Sequence, residues 1–164
     1  MSLREEGLVV FVNGCFDILH RGHLTMLEYC YNITQQSDRL YIQRGIAHEP
    51  SKVVVGVNSD ESVKRLKGID RPIIKEADRV FALKCIEFVN EVHVFNETSP
   101  RKLIEKINPS LIIKTYNPKD EKDSDGSILN PAPEETEGYD VRFFPLLEGY
   151  STTIYINEIL SNRR

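Results

Sequence analysis

Residues 8–23 read LVVFVNGCFDILHRGH and join a buried strand to the start of a helix. Leu8–Val12 is a continuous apolar run, which is typical of a parallel strand covered on both faces. An Asn-Gly pair ends the run, and two histidines three residues apart, His20 and His23, lie at the predicted start of the helix. The stretch therefore predicts the first strand and first helix of an α/β sheet, with polar groups gathered at the carboxyl end of the strand.

Strand-length apolar runs and helical patterns alternate along the rest of the chain. The further runs are Val53–Val57, Val92–Phe95, Leu111–Ile113 and Val141–Phe144. Helices are predicted over Leu24–Tyr31 and Val80–Val89, after Ser99-Pro100, and after Ser151, which would cap the last one. Because this alternation implies right-handed crossovers, we predict a Rossmann-like, doubly wound parallel sheet of five strands.

Length and composition restrict the class of protein. The 164 residues suit one domain, which we predict over residues 1–164 with insertions or long loops near 37–51 and 118–138. A net charge of −4 disfavours a general nucleic-acid binder, and no apolar run approaches the ~18 residues of a membrane span. Three scattered cysteines do not make a disulfide framework. We expect a cytoplasmic protein that binds neither nucleic acid nor membrane.

The two histidines of the first stretch are the strongest candidates for chemistry. They project from one turn at a helix N-terminus, where amide groups and the helix dipole favour an anion, and Gly22 leaves the space between them open. Imidazole donors at this place suit phosphate oxygens, whose charge grows in a transition state. Two alternatives stay open from the residues alone: a chance pair on a helix surface, and a zinc site that adds Cys15 but lacks an evident fourth ligand.

Residues 13–23 resemble the first signature of the cytidylyltransferase-like nucleotidyltransferases, including its His-x-Gly-His element. The similarity continues in order along most of the chain, through Gly56–Asp60, Ser62–Gly68, Arg71-Pro72, Asp78-Arg79 and Glu148–Thr153. Within this family the chain is most similar to the heptose 1-phosphate adenylyltransferases, and next to the glycerol-3-phosphate cytidylyltransferases.

The resemblance implies an enzyme that transfers a nucleotidyl group from an NTP, either ATP or CTP, to a phosphorylated sugar and releases pyrophosphate, with Mg²⁺ as cofactor. The preferred prediction is ADP-heptose synthesis for lipopolysaccharide core or a related glycan. The alternatives are CDP-glycerol synthesis from glycerol 3-phosphate and a non-catalytic nucleotide-binding homologue. Since family members are commonly dimers and the segment 80–89 is apolar on more than one face, we expect a homodimer that uses this segment.

The resemblance also implies roles for individual residues. The catalytic residues are expected to be His20, His23, Lys64 and Arg79. Contacts to the nucleotide are expected from Asn13, Gly14, Cys15, Phe16, His20, Gly22, His23, Lys67, Arg79, Ser151, Thr152 and Thr153. The acceptor is expected to meet Asp17, Lys114 and Asn117, and no residue is assigned to a metal. The basic segment Arg65–Ile74 is expected to be mobile and to become ordered over the phosphates when nucleotide binds.

Two departures from the family pattern bear on the substrate. After the lysine that Lys114 matches, the heptose enzymes continue with Gly-Gly-Asp-Tyr, whereas this chain has Thr115–Pro118. That loop touches base and acceptor in the family. The cytidylyltransferases carry Arg-Thr where this chain has Leu146-Leu147, which weighs against glycerol 3-phosphate.

Overall fold

A computed structural model describes residues 5–116 and 133–162 of the chain. Asn117 and residues 118–132 of the second predicted insertion lie outside these residues. The elements in chain order are β1 (Val9–Gly14), α1 (Arg21–Gln43), β2 (Lys52–Asn58), α2 (Asp60–Lys67), α3 (Glu76–Lys84), β3 (Glu91–Phe95), α4 (Arg101–Ile107), β4 (Leu111–Tyr116), α5 (Pro133–Thr136), β5 (Val141–Pro145) and α6 (Thr152–Ser161).

The five strands form one parallel sheet in the order β3-β2-β1-β4-β5, which confirms the predicted architecture. β1 is central: Val9 lies opposite Lys52 of β2, and Val10 lies opposite Leu111 of β4. The chain builds β2 and β3 on one side of β1 and then crosses to build β4 and β5 on the other. The carboxyl end of β1 is therefore the point where the strand order reverses, which is where α/β sheets bind ligands.

Two apolar clusters bury the two faces of the sheet. Successive residues of β1 join different clusters, because neighbouring side chains of a strand point to opposite faces. One cluster includes Val10, Val12, Leu27, Val55 and Ile113, and the other includes Phe11, Val54, Ile104 and Ile112. Burial on both faces explains why the strands are visible in the sequence as continuous apolar runs.

The first predicted insertion is partly wrong, because residues 37–43 continue α1 rather than form a loop. Polar contacts hold this end of the helix. Asp38 accepts a hydrogen bond from the backbone N–H of Ser51 at 3.0 Å and lies 3.1 Å from Nε2 of His48. Because these polar contacts hold the helix end, it needs no apolar stripe. The sequence there lacks a helical pattern for this reason, and the end of α1 was not predicted.

Smaller differences concern the helix limits. α3 covers Glu76–Lys84 rather than residues 80–89, and α4 begins at Arg101, with Pro100 as the N-cap. The last helix begins as predicted, since Ser151 caps it by accepting a hydrogen bond from the N–H of Ile154 at 3.2 Å. Within residues 5–116 and 133–162, none of the helices combines the length and apolar character needed to cross a membrane.

Candidate active site

A cavity of about 470 Å³ lies at the carboxyl end of β1. It is enclosed by the β1–α1 connection, the first turn of α1, the end of α2 with the loop that follows it, and the first turn of α6. The structure brings together here every residue expected to contact the nucleotide except Arg79. These lining residues are Asn13, Gly14, Cys15, Phe16, His20, Gly22, His23, Lys67, Ser151, Thr152 and Thr153.

His20 and His23 stack on one another, with ring centroids 3.8 Å apart. Their Nδ1 atoms are both buried and find no hydrogen-bond partner in the described part of the chain. Burial lowers the pKa of His20, while burial and then the neighbouring His20 lower the pKa of His23 to about 4. Both rings are therefore neutral at pH 7, and both residues line the cavity at a helix N-terminus, a place that suits the oxygens of a ligand.

Gly22 makes room for this pair. A Cβ atom at position 22 would lie 3.0 Å from Nδ1 of His20 and 3.5 Å from Cβ of Tyr150. Any side chain there would crowd the His20 ring and would contact the turn before α6. The glycine between the histidines is therefore explained by close packing of the two helix starts.

The first turn of α6 is the second helix N-terminus at the cavity. Tyr155 places its ring centroid 6.0 Å from that of His20, so the start of α6 lies beside the start of α1. Thr152 and Thr153 line the cavity next to the capping Ser151. The N-termini of α1 and α6 thus face one cavity, and α6 adds hydroxyl side chains. This arrangement suits a polyanion.

Arg79 and Lys64 are placed differently from the expectation. Arg79 is 1% exposed and donates to Cys15 O at 2.6 Å, Ile74 O at 3.0 Å and Asp60 Oδ1 at 2.9 Å. Its guanidinium thus binds protein acceptors and is not part of the cavity lining. It stabilises the backbone that surrounds the cavity. Lys64 lies within α2, donates to Glu61 at 2.7 Å and does not line the cavity either.

Asp17 holds a loop rather than presenting its carboxylate to a substrate. Its side chain is 0% exposed, and its oxygens accept from Nε of Arg71 at 2.6 Å, from the N–H of Ile73 at 3.0 Å and from the N–H of Ile74 at 2.8 Å. Asp17 is among the residues that line the cavity, but its carboxylate is held by these three donors, so an acceptor bound there would not meet a free carboxylate. Arg71, which this bond orients, lines the cavity and was not assigned a role from the sequence.

Lys114 contacts a residue that lines the cavity but does not line it itself. Its ammonium donates to Asn13 Oδ1 at 3.1 Å and to Glu135 Oε2 at 2.8 Å, and it is not among the lining residues. The carboxylate of Glu135 balances its charge, so the expected direct contact with an acceptor phosphate is corrected. Lys114 instead orients Asn13, which does line the cavity. Asn117 lies outside the described residues.

Sequence reasoning missed several lining residues. Four of them carried a signal, because they lie in stretches of family similarity: Asn58, Leu66, Arg71 and Tyr150. The others had no such signal: Met26, Thr115, Leu146 and Leu147.

The zinc alternative finds no support. Among the described residues, no group of three or more His, Cys, Asp or Glu side chains is arranged to hold a metal ion. Burial raises the pKa of the Cys15 thiol, although Lys67, Arg79 and Arg71 act to lower it. Cys15 is therefore a neutral thiol at pH 7 in the free protein.

The chain matches the cytidylyltransferase-like family over residues 11–157. It is 38% identical over 156 residues to the bifunctional protein HldE of Helicobacter pylori (strain J99), and 38% identical over 162 residues to the bifunctional protein HldE of Bradyrhizobium sp. (strain ORS 278). These alignments cover 95% and 98% of the chain but 28% and 29% of the relatives, so the chain spans less than a third of their length.

A solved structure shares the fold. The crystal structure of the lipopolysaccharide core biosynthesis protein from Thermoplasma volcanium is similar with a TM-score of 0.54 and 23% sequence identity. The similarity covers 88% of this chain and 98% of that one.

Proposed function

Because the chain belongs to the cytidylyltransferase-like family of nucleotidyltransferases, we propose that it transfers a nucleotidyl group from an NTP to a phosphorylated sugar and releases pyrophosphate. ATP and a heptose 1-phosphate are the preferred pair. Their support is the resemblance of the sequence motifs to the heptose 1-phosphate adenylyltransferases, together with the HldE relatives. CTP and glycerol 3-phosphate are the second pair.

The stacked histidines between two helix N-termini are the observation that carries this proposal. In the reaction, an oxygen of the acceptor phosphate attacks the α-phosphorus of the NTP, and the bond from that phosphorus to the bridging β-oxygen breaks. His20 and His23 would donate hydrogen bonds to the α-phosphate as charge builds on its oxygens. The first turn of α6 would hold the β- and γ-phosphates of the departing pyrophosphate, and Lys67 would contact the nucleotide phosphates.

Mg²⁺ fits this arrangement as a companion of the nucleotide. The described residues offer no cluster of three or more metal-ligating side chains, and Mg²⁺ usually binds through substrate phosphates with few protein ligands. It would neutralise charge on the triphosphate and on the leaving pyrophosphate. Thr152 and Thr153 would then meet phosphate oxygens that the ion leaves free.

We also propose a homodimer formed around α3. Phe81 is 71% exposed on this helix, and Val94 is 42% exposed on the adjacent edge strand β3. An aromatic side chain this exposed, next to an open sheet edge, suits a surface that another subunit covers.

A non-catalytic nucleotide-binding module is the rival from another class. A protein that only holds nucleotide has no need of two neutral imidazoles beside the α-phosphate, whereas a transferase does. A pyrophosphate-release screen that crosses the four NTPs with a panel of sugar and polyol phosphates separates the proposals. Release with ATP and a heptose 1-phosphate supports the preferred one, release with CTP and glycerol 3-phosphate supports the second, and nucleotide binding without release supports the module.

A further inference from the structure

We infer that Arg71, oriented by Asp17, binds the phosphate of the acceptor substrate, an inference that rests on the proposed function. Arg71 lines the cavity, and its side chain is 16% exposed. Its Nε donates to Asp17 at 2.6 Å, and this is the one hydrogen bond that the Arg71 side chain makes to the described residues. The two terminal nitrogens of the guanidinium therefore stay available for oxygens of a ligand.

The anchor of Arg71 is rigid. Besides Nε of Arg71, the buried Asp17 carboxylate accepts the backbone N–H groups of Ile73 and Ile74, so three bonds join the β1–α1 connection to the loop before α3. Arg79 reinforces the same junction by bridging Cys15 O and Ile74 O. A guanidinium held at Nε in this way is prepared for bidentate binding, which a lysine ammonium cannot reproduce.

The topology places Arg71 on one flank of the histidine pair. The loop that carries it joins α2, which packs on β2, to α3, which packs on β3, and both strands lie on the same side of β1. α6 follows β5 on the other side and lies beside His20. Arg71 and the first turn of α6 thus approach the central histidines from opposite flanks.

In-line transfer needs the attacking and leaving oxygens on opposite sides of the α-phosphorus. With the β- and γ-phosphates on the first turn of α6, the attacking phosphate must approach from the flank of Arg71. The two terminal nitrogens of Arg71 would bind two oxygens of that phosphate and leave a third directed at the α-phosphorus. No proton or bond beyond those of the proposed transfer is involved.

The charge on this flank favours an anion. Lys67, Arg71 and Arg79 lie close enough to Cys15 for each to act on its thiol electrostatically. Asp17 balances Arg71 and Asp60 balances Arg79, which leaves Lys67 without a carboxylate partner among the described residues. Lys67, which would contact the nucleotide phosphates, lies on this flank too, so its positive charge would act on both reactants. The acceptor phosphate would find the directional donors of Arg71 there.

The test compares Arg71→Lys with Arg39→Lys. Arg39 is an exposed arginine in the C-terminal half of α1, outside the basic segment, and does not line the cavity. We expect Arg71→Lys to raise KM for the heptose 1-phosphate by about tenfold or more and to change KM for ATP by less than about twofold. Arg39→Lys should change neither. A larger rise in KM for ATP than for the acceptor, or no change in either, overturns the inference.

Both variants should fold, because Asp17 keeps its bonds to Ile73 and Ile74 when Arg71 is altered; Arg71→Gln provides a second variant. If the wild-type protein releases no pyrophosphate with any pair, the proposed function fails, and calorimetric titration with inorganic phosphate still tests Arg71. Weaker phosphate binding by Arg71→Lys than by Arg39→Lys then supports the anion site, and equal binding overturns it.

Discussion

His20 and His23 stack at 3.8 Å between the first turns of two helices, and Nδ1 of neither ring has a hydrogen-bond partner in the described protein. A pair built for stability would satisfy these atoms, since a buried polar group without a partner costs about 1–3 kcal/mol. This cost points to a role for the pair other than stability, and both residues line the cavity.

Replacing either histidine should cost turnover more than binding. If the rings act on charge that develops at the α-phosphate, His23→Ala should lower kcat by about 10²-fold, equivalent to roughly 2.7 kcal/mol, with a much smaller change in KM for the NTP. His20→Ala should behave alike, and the double variant should lose less than the product of the two effects. Steady-state kinetics on the folded fraction measures this, and near-normal kcat in both single variants would exclude a catalytic pair.

The low pKa of His23 should make the free protein less stable in mild acid. The pKa of His23 is about 4 in the folded state, against an ordinary value of 6.5, so the unfolded chain takes up a proton first as the pH falls. Stability from this group is complete above pH 6.5 and is lost progressively toward pH 4, by an amount on the order of 3 kcal/mol. Urea denaturation of wild type and His23→Gln between pH 7 and pH 5 measures it. A parallel loss in both proteins would contradict the assignment.

Arg79 should matter for stability. Its removal leaves Asp60, Cys15 O and Ile74 O without their buried donor, so Arg79→Met should lower the free energy of unfolding by about 3 kcal/mol or more. Lys64→Ala, which removes an exposed ion pair with Glu61, is the control and should change the stability little. Full stability of Arg79→Met in chemical denaturation would show that the bracing contacts are unimportant.

The backbone amides of the basic segment Arg65–Ile74 should differ in their protection from hydrogen exchange. The amides of Ile73 and Ile74 are bonded to Asp17, so they should be protected from hydrogen exchange with or without nucleotide. Residues 69–70 follow α2 and are exposed, and we expect their amides to exchange quickly in the free protein and more slowly with ATP and Mg²⁺. Hydrogen-exchange mass spectrometry tests this, and unchanged exchange of residues 69–70 on nucleotide addition would argue against a lid.

The proposed dimer should depend on Phe81. Sedimentation of the wild-type protein should show a dimer, and Phe81→Glu should shift it to a monomer by placing a charge on the covered surface. Lys102→Glu introduces the same charge on exposed α4 and should stay dimeric. A wild-type monomer at every concentration would remove the proposal.

The fold was predictable because both faces of the sheet are buried. The apolar runs in β1 and β2 are of strand length and rich in valine, which favours covered strands over buried helices. The cap at Ser151 is a local signal. The polar end of α1 escaped prediction, since Asp38 stabilises it through His48 and Ser51, which follow the helix and give no periodic signal.

Side-chain roles were less predictable than side-chain positions. A cation in the sequence does not reveal which acceptor will meet it after folding. Arg79 finds buried carbonyls, and Lys114 finds Glu135 and Asn13, because strand and helix packing brings those acceptors within reach. The same packing turns Asp17 from an expected ligand into the anchor of Arg71.

Gly22 limits which substitutions can raise the stability of this protein. Replacing a helical glycine with alanine commonly gains about 1 kcal/mol, and such exchanges are a standard route to heat-resistant variants. At this position the added methyl group would lie 3.0 Å from the His20 ring, so the more rigid helix would come with a displaced imidazole. If the proposed function holds, substitutions at Gly22 that favour the helix would also shift the His20 ring, so a search for heat-resistant variants should leave this position unchanged.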